Sequence, residues 1–522
     1  MTTRLRTGGA ATGSALALML SLTGPARADV TPQDVWIQFR DYLETFGYTV
    51  TTTPDSSGAD LSMDSLTMTM ALPPEPGSDL PGTVTVTLGG MTLRGLGDGT
   101  VSVEMPASVP VEVFMDGPED KDLTVKSTLD STGFSMIASG SPDDIAYTIT
   151  AARMAWEVSE FEGQPGKVVT PEALSLVMEG MRGATQLSRD GALTRVQQEM
   201  TLASMSYDID ISNPEPGKSE RVTLAGTFSG LTSTADGTLP QVDDPSDLPA
   251  AIADGYAIDA GIRYAAGNSS FDFRDEKSQM QGTSKSRGGS FDVTLSADGL
   301  AYDAAATGVE LSLEGSQFPF PVTSTLAGVG FGLRVPVVAS EDDQPFGASF
   351  KITELVLPEP LWSMVDPTNA FPHDPITAEI DLDGSGRFLL SFLSDSDMAE
   401  LQRGEREIGT LSGMAIRSLL LKGAGATVAA TADMTFRDFP LPPRKDVKPD
   451  MFGTADVRMT GVTGLLNKLA QMGLIPAAQA MMAAGMIQQI GKPEGGADDF
   501  SAKIEMTPNG NMLVNGMPMP FN

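Results

Sequence analysis

The sequence predicts a mainly β protein, an elongated or curved antiparallel sheet with a few helices. Apolar residues alternate with polar ones at period two along most of the chain, the pattern of strands with one covered and one wet face. Clusters of Gly, Pro and Asp separate these runs, as turns require. A helical period near 3.6 shows only at the start, near residue 175 and towards the end.

The first 28 residues read as a cleavable export signal. Arg4 and Arg6 give a positive start, Ala15 to Leu22 a short apolar run, and Ala26-Arg27-Ala28 a small-residue cleavage site. Cleavage after Ala28 would leave Asp29 as the new N-terminus and place the mature chain in the periplasm. The apolar run is shorter than the about 20 residues a membrane span needs. Arg4 and Arg6 are not adjacent, which argues against a twin-arginine signal. No later segment is long and apolar enough to span a bilayer as a helix, so no transmembrane helix is expected in the mature chain.

The mature chain opens with an expected helix. Thr31 caps it, Pro32 suits its first turn, and Asp34 sits at the positive end of its dipole. Val35, Phe39, Leu43 and Phe46 form its core-facing stripe, with Trp36 alongside and Gly47 as the stop. Alternation then starts at Leu66-Thr67-Met68-Thr69-Met70-Ala71-Leu72. It recurs at Val84 to Leu88, Val101 to Met105, Ile145 to Ile149 and Met205 to Ile211. A second helix is expected from Thr170 to Arg182, where Leu174, Val177, Met178 and Met181 recur at helical spacing.

The acidic, proline-rich stretch Pro240 to Pro249 suggests a boundary. It divides the chain into 1–28, a β-rich region with its opening helix at 29–240, and a β-rich region with a helical hairpin at 250–522. Strand patterning resumes at Phe271 to Phe273, Phe291 to Leu295, Val309 to Leu313 and Phe350 to Leu357. Near the end, Val462, Leu465, Leu466 and Leu469 form one helical stripe. After a break at Gly473 to Pro476, Met481, Met482, Met486 and Ile490 form another. An antiparallel pair of helices would bury both stripes, although a methionine-rich face can also serve as an adaptable binding surface. Asn509-Gly510 marks a last hairpin between Ala502 to Met506 and Met512 to Val514. Apolar-Pro-apolar-Pro runs recur at Phe318, Phe439 and Met517, where proline ends or protects strands.

The formal charge is −34, and loss of Arg4, Arg6 and Arg27 with the signal would deepen it. Such a chain is not a nucleic-acid binder, which needs a positive footprint. Docking on anionic lipid through a basic patch is disfavoured too. The acidity itself reads as solubility. With no cysteine, disulfides, thiolate catalysis, Cys-based metal sites and a lipoprotein anchor are all excluded. The 41% hydrophobic content supports a folded chain with many turns.

No catalytic, cofactor or metal residues are assigned. The one histidine, His373 in Phe-Pro-His-Asp-Pro, lacks a nucleophile elbow and reads as an exposed loop residue. Asp381-Leu382-Asp383-Gly384-Ser385-Gly386 begins like a calcium loop, but its twelfth position is Phe392 instead of Glu. It reads instead as a tight turn between strands Ile376–Leu382 and Phe388–Phe392. Gly328-Val329-Gly330-Phe331-Gly332 lacks the Lys-Ser/Thr of a P-loop and the third-glycine spacing of a dinucleotide fold. Carboxylate pairs of the glycosidase kind depend on spatial pairing and stay open.

One segment is distinctive: Leu355-Val356-Leu357-Pro358-Glu359-Pro360-Leu361-Trp362-Ser363-Met364-Val365-Asp366-Pro367, then Phe371-Pro372-His373-Asp374-Pro375 and the strand from Ile376. With Met512-Leu513-Val514-Asn515-Gly516-Met517-Pro518 and the helical hairpin before it, it resembles the alphaproteobacterial family catalogued as "domain of unknown function 2125". The resemblance implies an envelope protein without an established activity, so it supplies no catalytic residues. Many members of that family look membrane-anchored, whereas this chain carries a cleavable-looking signal. The strand pair Ile416 to Leu421 and Thr427 to Phe436 is also similar in pattern to AsmA-type envelope proteins. The expected function is that of a non-enzymatic periplasmic protein binding a lipid or other apolar ligand in envelope maintenance. The alternatives are a structural or protein-interaction module of the envelope and a carboxylate-based hydrolase.

Overall fold

A computed structural model describes residues 30–519, apart from 58–59, 73–81, 117–121, 165–166, 214–217, 243–246 and 445–446. The expected signal, with Ala28 and Asp29, lies outside the described residues. Helix α1 (Pro32–Thr45) opens the fold with a capping box, Thr31 and Asp34 each accepting from the other's backbone N–H. Strands β1 (Thr49–Ser57), β2 (Asp60–Ala71) and β3 (Thr83–Gly95) follow. Next come two levels in halves: β4 (Val101–Glu104) with β5 (Ser108–Asp116), and β6 (Leu123–Thr132) with β7 (Ser135–Ser141). β8 (Asp144–Gln164) spans both halves, with β9 (Lys167–Val169) folded onto its end. β10 (Ala173–Asp190), β11 (Leu193–Ser212) and β12 (Arg221–Pro240) are full length.

After α2 (Leu248–Ala253) the arrangement in halves returns as β13 (Ala257–Tyr264) with β14 (Ala266–Arg274), and β15 (Gln279–Ser286) with β16 (Gly289–Ser296). β17 (Gly299–Gly315), β18 (Val322–Val335) and β19 (Gln344–Leu355) follow, then α3 (Glu359–Val365). β20 (Ile376–Phe388) precedes α4 (Asp395–Gln402), and β21 (Gly409–Gly423), β22 (Ala426–Leu441) and β23 (Met451–Thr460) continue the ladder. Helices α5 (Val462–Gln471) and α6 (Ala477–Ile490) lead to β24 (Lys492–Pro493), β25 (Asp499–Met506), β26 (Met512–Val514) and β27 (Met517–Met519).

Every pairing among the described residues is antiparallel, and each level pairs with the level before and the level after it. The result is one up-and-down sheet. One ladder joins the strands before Pro240 to those after Pro249, because β12 pairs with β11 on one side and with β13 and β14 on the other. The accessible surface is 30522 Å². A compact chain of 54.7 kDa would expose about 18,000 Å². The sheet is therefore extended, with much of both faces open to solvent.

A row of kinks runs across the middle of the strands. Gly133, Gly180, Gly230, Gly308 and Glu354 take φ values of 62, 61, 62, 56 and 52°. By register, Gly180 lies between Ala152 and Ala203, Gly230 between Ala203 and Ala265, and Ala327 between Gly308 and Glu354. Left-handed backbone costs any residue with a Cβ about 1–2 kcal/mol. Space is short as well: a Cβ on Gly180 would stand 2.8 Å from that of Ala203, and one on Gly230 3.0 Å from that of Ala265. The kink adds one residue to the in–out alternation, so residues three apart share a face. Met178 joins Met181, and Met154 joins Ala151, in one apolar cluster. Neighbouring strands kink at the same row, so β11 and β12 hold register from Leu193↔Pro240 to Ser212↔Arg221.

That kink corrects the expected helix at Thr170 to Arg182, which is strand β10. Leu174, Leu176 and Met178 face one side at period two, and Gly180 then shifts the alternation so that Met181 and Leu187 face the same side. The step of three from Met178 to Met181 imitates a helical period. The expected turn at Asp381 to Gly386 is corrected too, since β20 runs straight through it. Its glycines make room for neighbours. A Cβ on Gly384 would lie 2.1 Å from the Phe346 ring, and one on Gly386 2.6 Å from the Thr410 carbonyl.

The main core lies beneath α1, where Val35 and Trp36 meet Leu61, Met63, Leu93, Val101, Ile145, Leu187 and Leu239. No helix among the described residues is long and apolar enough to cross a membrane.

Candidate apolar binding face

Register places one residue of each level in a single row across the sheet. It starts Leu61–Leu93–Val103–Met136–Ile149–Gly183–Met200–Ser233. It continues Ile262–Phe291–Ala304–Phe331–Phe350–Ile380 and ends Leu419–Ala430–Val457–Ala502. All but Gly183 and Ser233 are apolar. At about 4.8 Å per strand the row is roughly 80 Å long.

Burial along the row falls and then rises. Leu61, Leu93 and Val103, under α1, are 4, 2 and 7% exposed. Ile262, Phe291, Phe331 and Phe350 are 46, 45, 48 and 43% exposed. Ala502 is back to 4%, where α6 meets β25. The middle of the sheet thus carries a continuous apolar face that no element of the described chain covers, closed at each end by a helix.

Aromatic rings pave this face. Tyr207 lies over Gly226, Phe228 over Gly267, Phe271 over Gly282 and Tyr264 over Gly289, with 2.5 to 3.0 Å between the ring and an added Cβ. Each glycine gives the ring on the next strand a flat seat, and the ring covers backbone that glycine leaves bare. Phe228 and Tyr264 also meet edge to face at 4.9 Å.

The other face is polar and acidic. A neighbouring row reads Gly261–Asp292–Asp303–Gly332–Ser349–Asp381–Ser418. Asp236 stands opposite Asp259, and Asp292 opposite Asp303. Gln197 donates to Asp236 at 2.9 Å and Arg263 to Asp292 at 3.0 Å, which eases the like-charge contacts. A cavity of about 1160 Å³ beside the kink row is lined largely from this face, by Ser206, Thr227, Asn268, Thr283 and Arg287 among others. Among the described residues no group of three or more ligating side chains could hold a metal ion.

His373 is not the exposed loop residue expected from sequence. Its side chain is 17% exposed. The ring stacks on Trp362 with centroids 4.6 Å apart and planes 3° from parallel. Nδ1 lies 3.1 Å from the Glu359 carboxylate and Nε2 3.9 Å from Asp366. The Asp366 carboxylate is enclosed and accepts the Phe371 N–H at 2.6 Å and the Thr368 hydroxyl at 3.2 Å. Burial alone would raise its pKa. The N–H groups of Ala370 and Phe371, the Thr368 hydroxyl and the His373 ring outweigh that and hold it below the ordinary value. The stack on Trp362 and the Asp366 hydrogen bonds tie together the β19–β20 connection.

The chain matches no protein-family model and no curated protein. The long apolar row escaped sequence reading because it exists only once strand register is known. The spacing of glycines one strand away from aromatics is its one trace in the sequence.

Proposed function

We propose that this is a periplasmic envelope protein that holds the acyl chains of a lipid along the apolar face of its sheet. The observation that carries the reading is the exposed middle of the row, Ile262, Phe291, Phe331 and Phe350, between two helix-covered ends. Large contiguous apolar surface on a soluble chain marks a binding site. Each methylene shielded there contributes about 0.8 kcal/mol, so one extended chain is enough for useful affinity. The export signal expected at 1–28 and the AsmA-like strand pattern fit the same reading. The binding is non-enzymatic, with no bond made or broken.

The test compares lipid extracted from the purified wild-type chain with that from Phe331→Glu/Phe350→Glu. Both rings are nearly half exposed, so the fold should lose no more than about 1 kcal/mol. We expect bound lipid in the wild type and its loss in the variant. Wild-type protein free of lipid, or a variant that keeps it, refutes the reading.

A further inference from the structure

Helix α6 breaks the expectation that its methionines pack in the core. Its buried side is alanine: Ala480 is 1% and Ala484 9% exposed. Small residues let the helix lie close against its neighbours α5 and β25. Met481, Met482 and Met486 point away and are 66, 62 and 51% exposed, and Leu474 in the preceding turn is 52% exposed.

Charge makes this face unlike the rest of the molecule. From Leu469 to Gly491 no residue is charged, in a chain of 68 acidic and 34 basic residues. Lysines bracket the segment: Lys468, whose Nζ lies 5.9 Å from the centre of the Phe371 ring, and Lys492. The β19–β20 connection leaves the sheet at the same end, since Thr377, Lys422, Thr427 and Thr460 pair in succession. It adds Met364 and Val365, 64 and 53% exposed.

We infer that this end of the sheet docks on a phospholipid bilayer, with the methionine face of α6 set among the acyl chains and Lys468 and Lys492 at the phosphates. An acidic protein is repelled by an anionic surface least where acids are sparse: α6 carries none, Glu494 just beyond it lies 4.0 Å from Lys492, and Glu359 on α3 pairs with His373. A neutral apolar helix face flanked by cations is the chemistry of an interfacial helix, and flexible methionine adapts to a fluid surface. Docking here brings the bilayer to the end of the apolar row, because α6 abuts β25 and Asn515 donates to the Ile490 carbonyl at 2.7 Å. The inference rests on the acyl-binding reading and names where that lipid would enter or leave.

The test floats the full mature chain with vesicles of phosphatidylcholine, with and without phosphatidylglycerol. Wild type should float, and Met481→Gln/Met482→Gln/Met486→Gln should bind roughly a hundredfold more weakly at an unchanged melting temperature. As a second readout on the wild type, vesicles should slow peroxide oxidation of Met481, Met482 and Met486 but not of Met414, which is 39% exposed out on the sheet. A wild type that does not float, a triple variant that floats equally well, or unprotected methionines overturn the inference. So does a wild-type dimer that the triple variant splits, which would give the face to a second copy. Protein that carries lipid but does not float loses the docking and keeps the acyl site. Protein that floats without carrying lipid does the reverse.

Discussion

Replacing Gln38 with alanine should loosen α1 from the sheet, by an amount the buried hydrogen bonds allow to be worked out. Gln38 is 6% exposed beneath α1. Its Oε1 accepts from the Tyr147 hydroxyl at 2.9 Å, and its Nε2 donates to the Leu187 carbonyl at 3.2 Å. Burial raises the Tyr147 pKa, so the phenol stays a neutral donor. Gln38→Ala strands that hydroxyl in an apolar core at a cost of about 1–3 kcal/mol, and the cavity left adds about 1 kcal/mol. Tyr147→Phe strands the Gln38 carbonyl in turn. With both groups gone, neither is stranded, so the double variant should lose less than the two singles together, with a coupling of about 1–2 kcal/mol. Urea unfolding followed by tryptophan fluorescence, with Trp36 on the same helix as reporter, measures all four proteins. Losses that add within about 0.5 kcal/mol would refute the bond as the tie between helix and sheet.

Two further outcomes follow from the kink row and the Asp366 cluster. Gly191, in the β10–β11 turn, has φ 65° with open space around it, so Gly191→Ala should cost about 1 kcal/mol. Gly230→Val meets the same backbone penalty, a β-branch and the Ala265 methyl 3.0 Å away. It should cost about 3 kcal/mol or more, and equal losses in thermal unfolding would contradict the kink. The Asp366 pKa is lowered in the fold, so its carboxylate stabilises above the unfolded value of about 4 and that contribution fades as pH falls through the folded value. Asp366→Asn should lower stability at neutral pH and flatten the decline below about pH 4. Parallel curves of urea midpoint against pH for the two proteins would contradict this.

The local signals were legible. Thr31, Pro32 and Asp34 mark the start of α1, and the alternation around Leu66, Val84 and Ile145 marks strands where they stand. Illegible were features that depend on what lies one strand away. At β10 the kink at Gly180 shifts the alternation by one and writes a helical spacing into a strand. At Gly384 a turn signal is a seat for Phe346. In α6 both faces are apolar, so hydropathy does not say which is inside; close approach selects Ala480 and Ala484 and leaves the larger methionines out. The place of His373 depends on Trp362, Asp366 and Glu359, which only the fold of the connection brings around it.

The same geometry sets what the sheet would present to a second copy of the chain. Period two puts the aspartates on one side and the phenylalanines on the other, and the aligned kinks carry that separation along the strands from β8 to β19. Copies approaching face to face each bring a negative charge near −34, a long-range repulsion that acts before apolar contact. Edge-to-edge pairing is blunted as well. Pro54 stands at an irregularity in β1, and Pro518 sits in the three-residue β27, so neither edge offers a long unbroken run of donors. Charge and proline thus restrain contact between copies, while α1 and α6 cover the ends of the row. What stays accessible is the middle of the apolar face, where Ile262, Phe291, Phe331 and Phe350 are nearly half exposed.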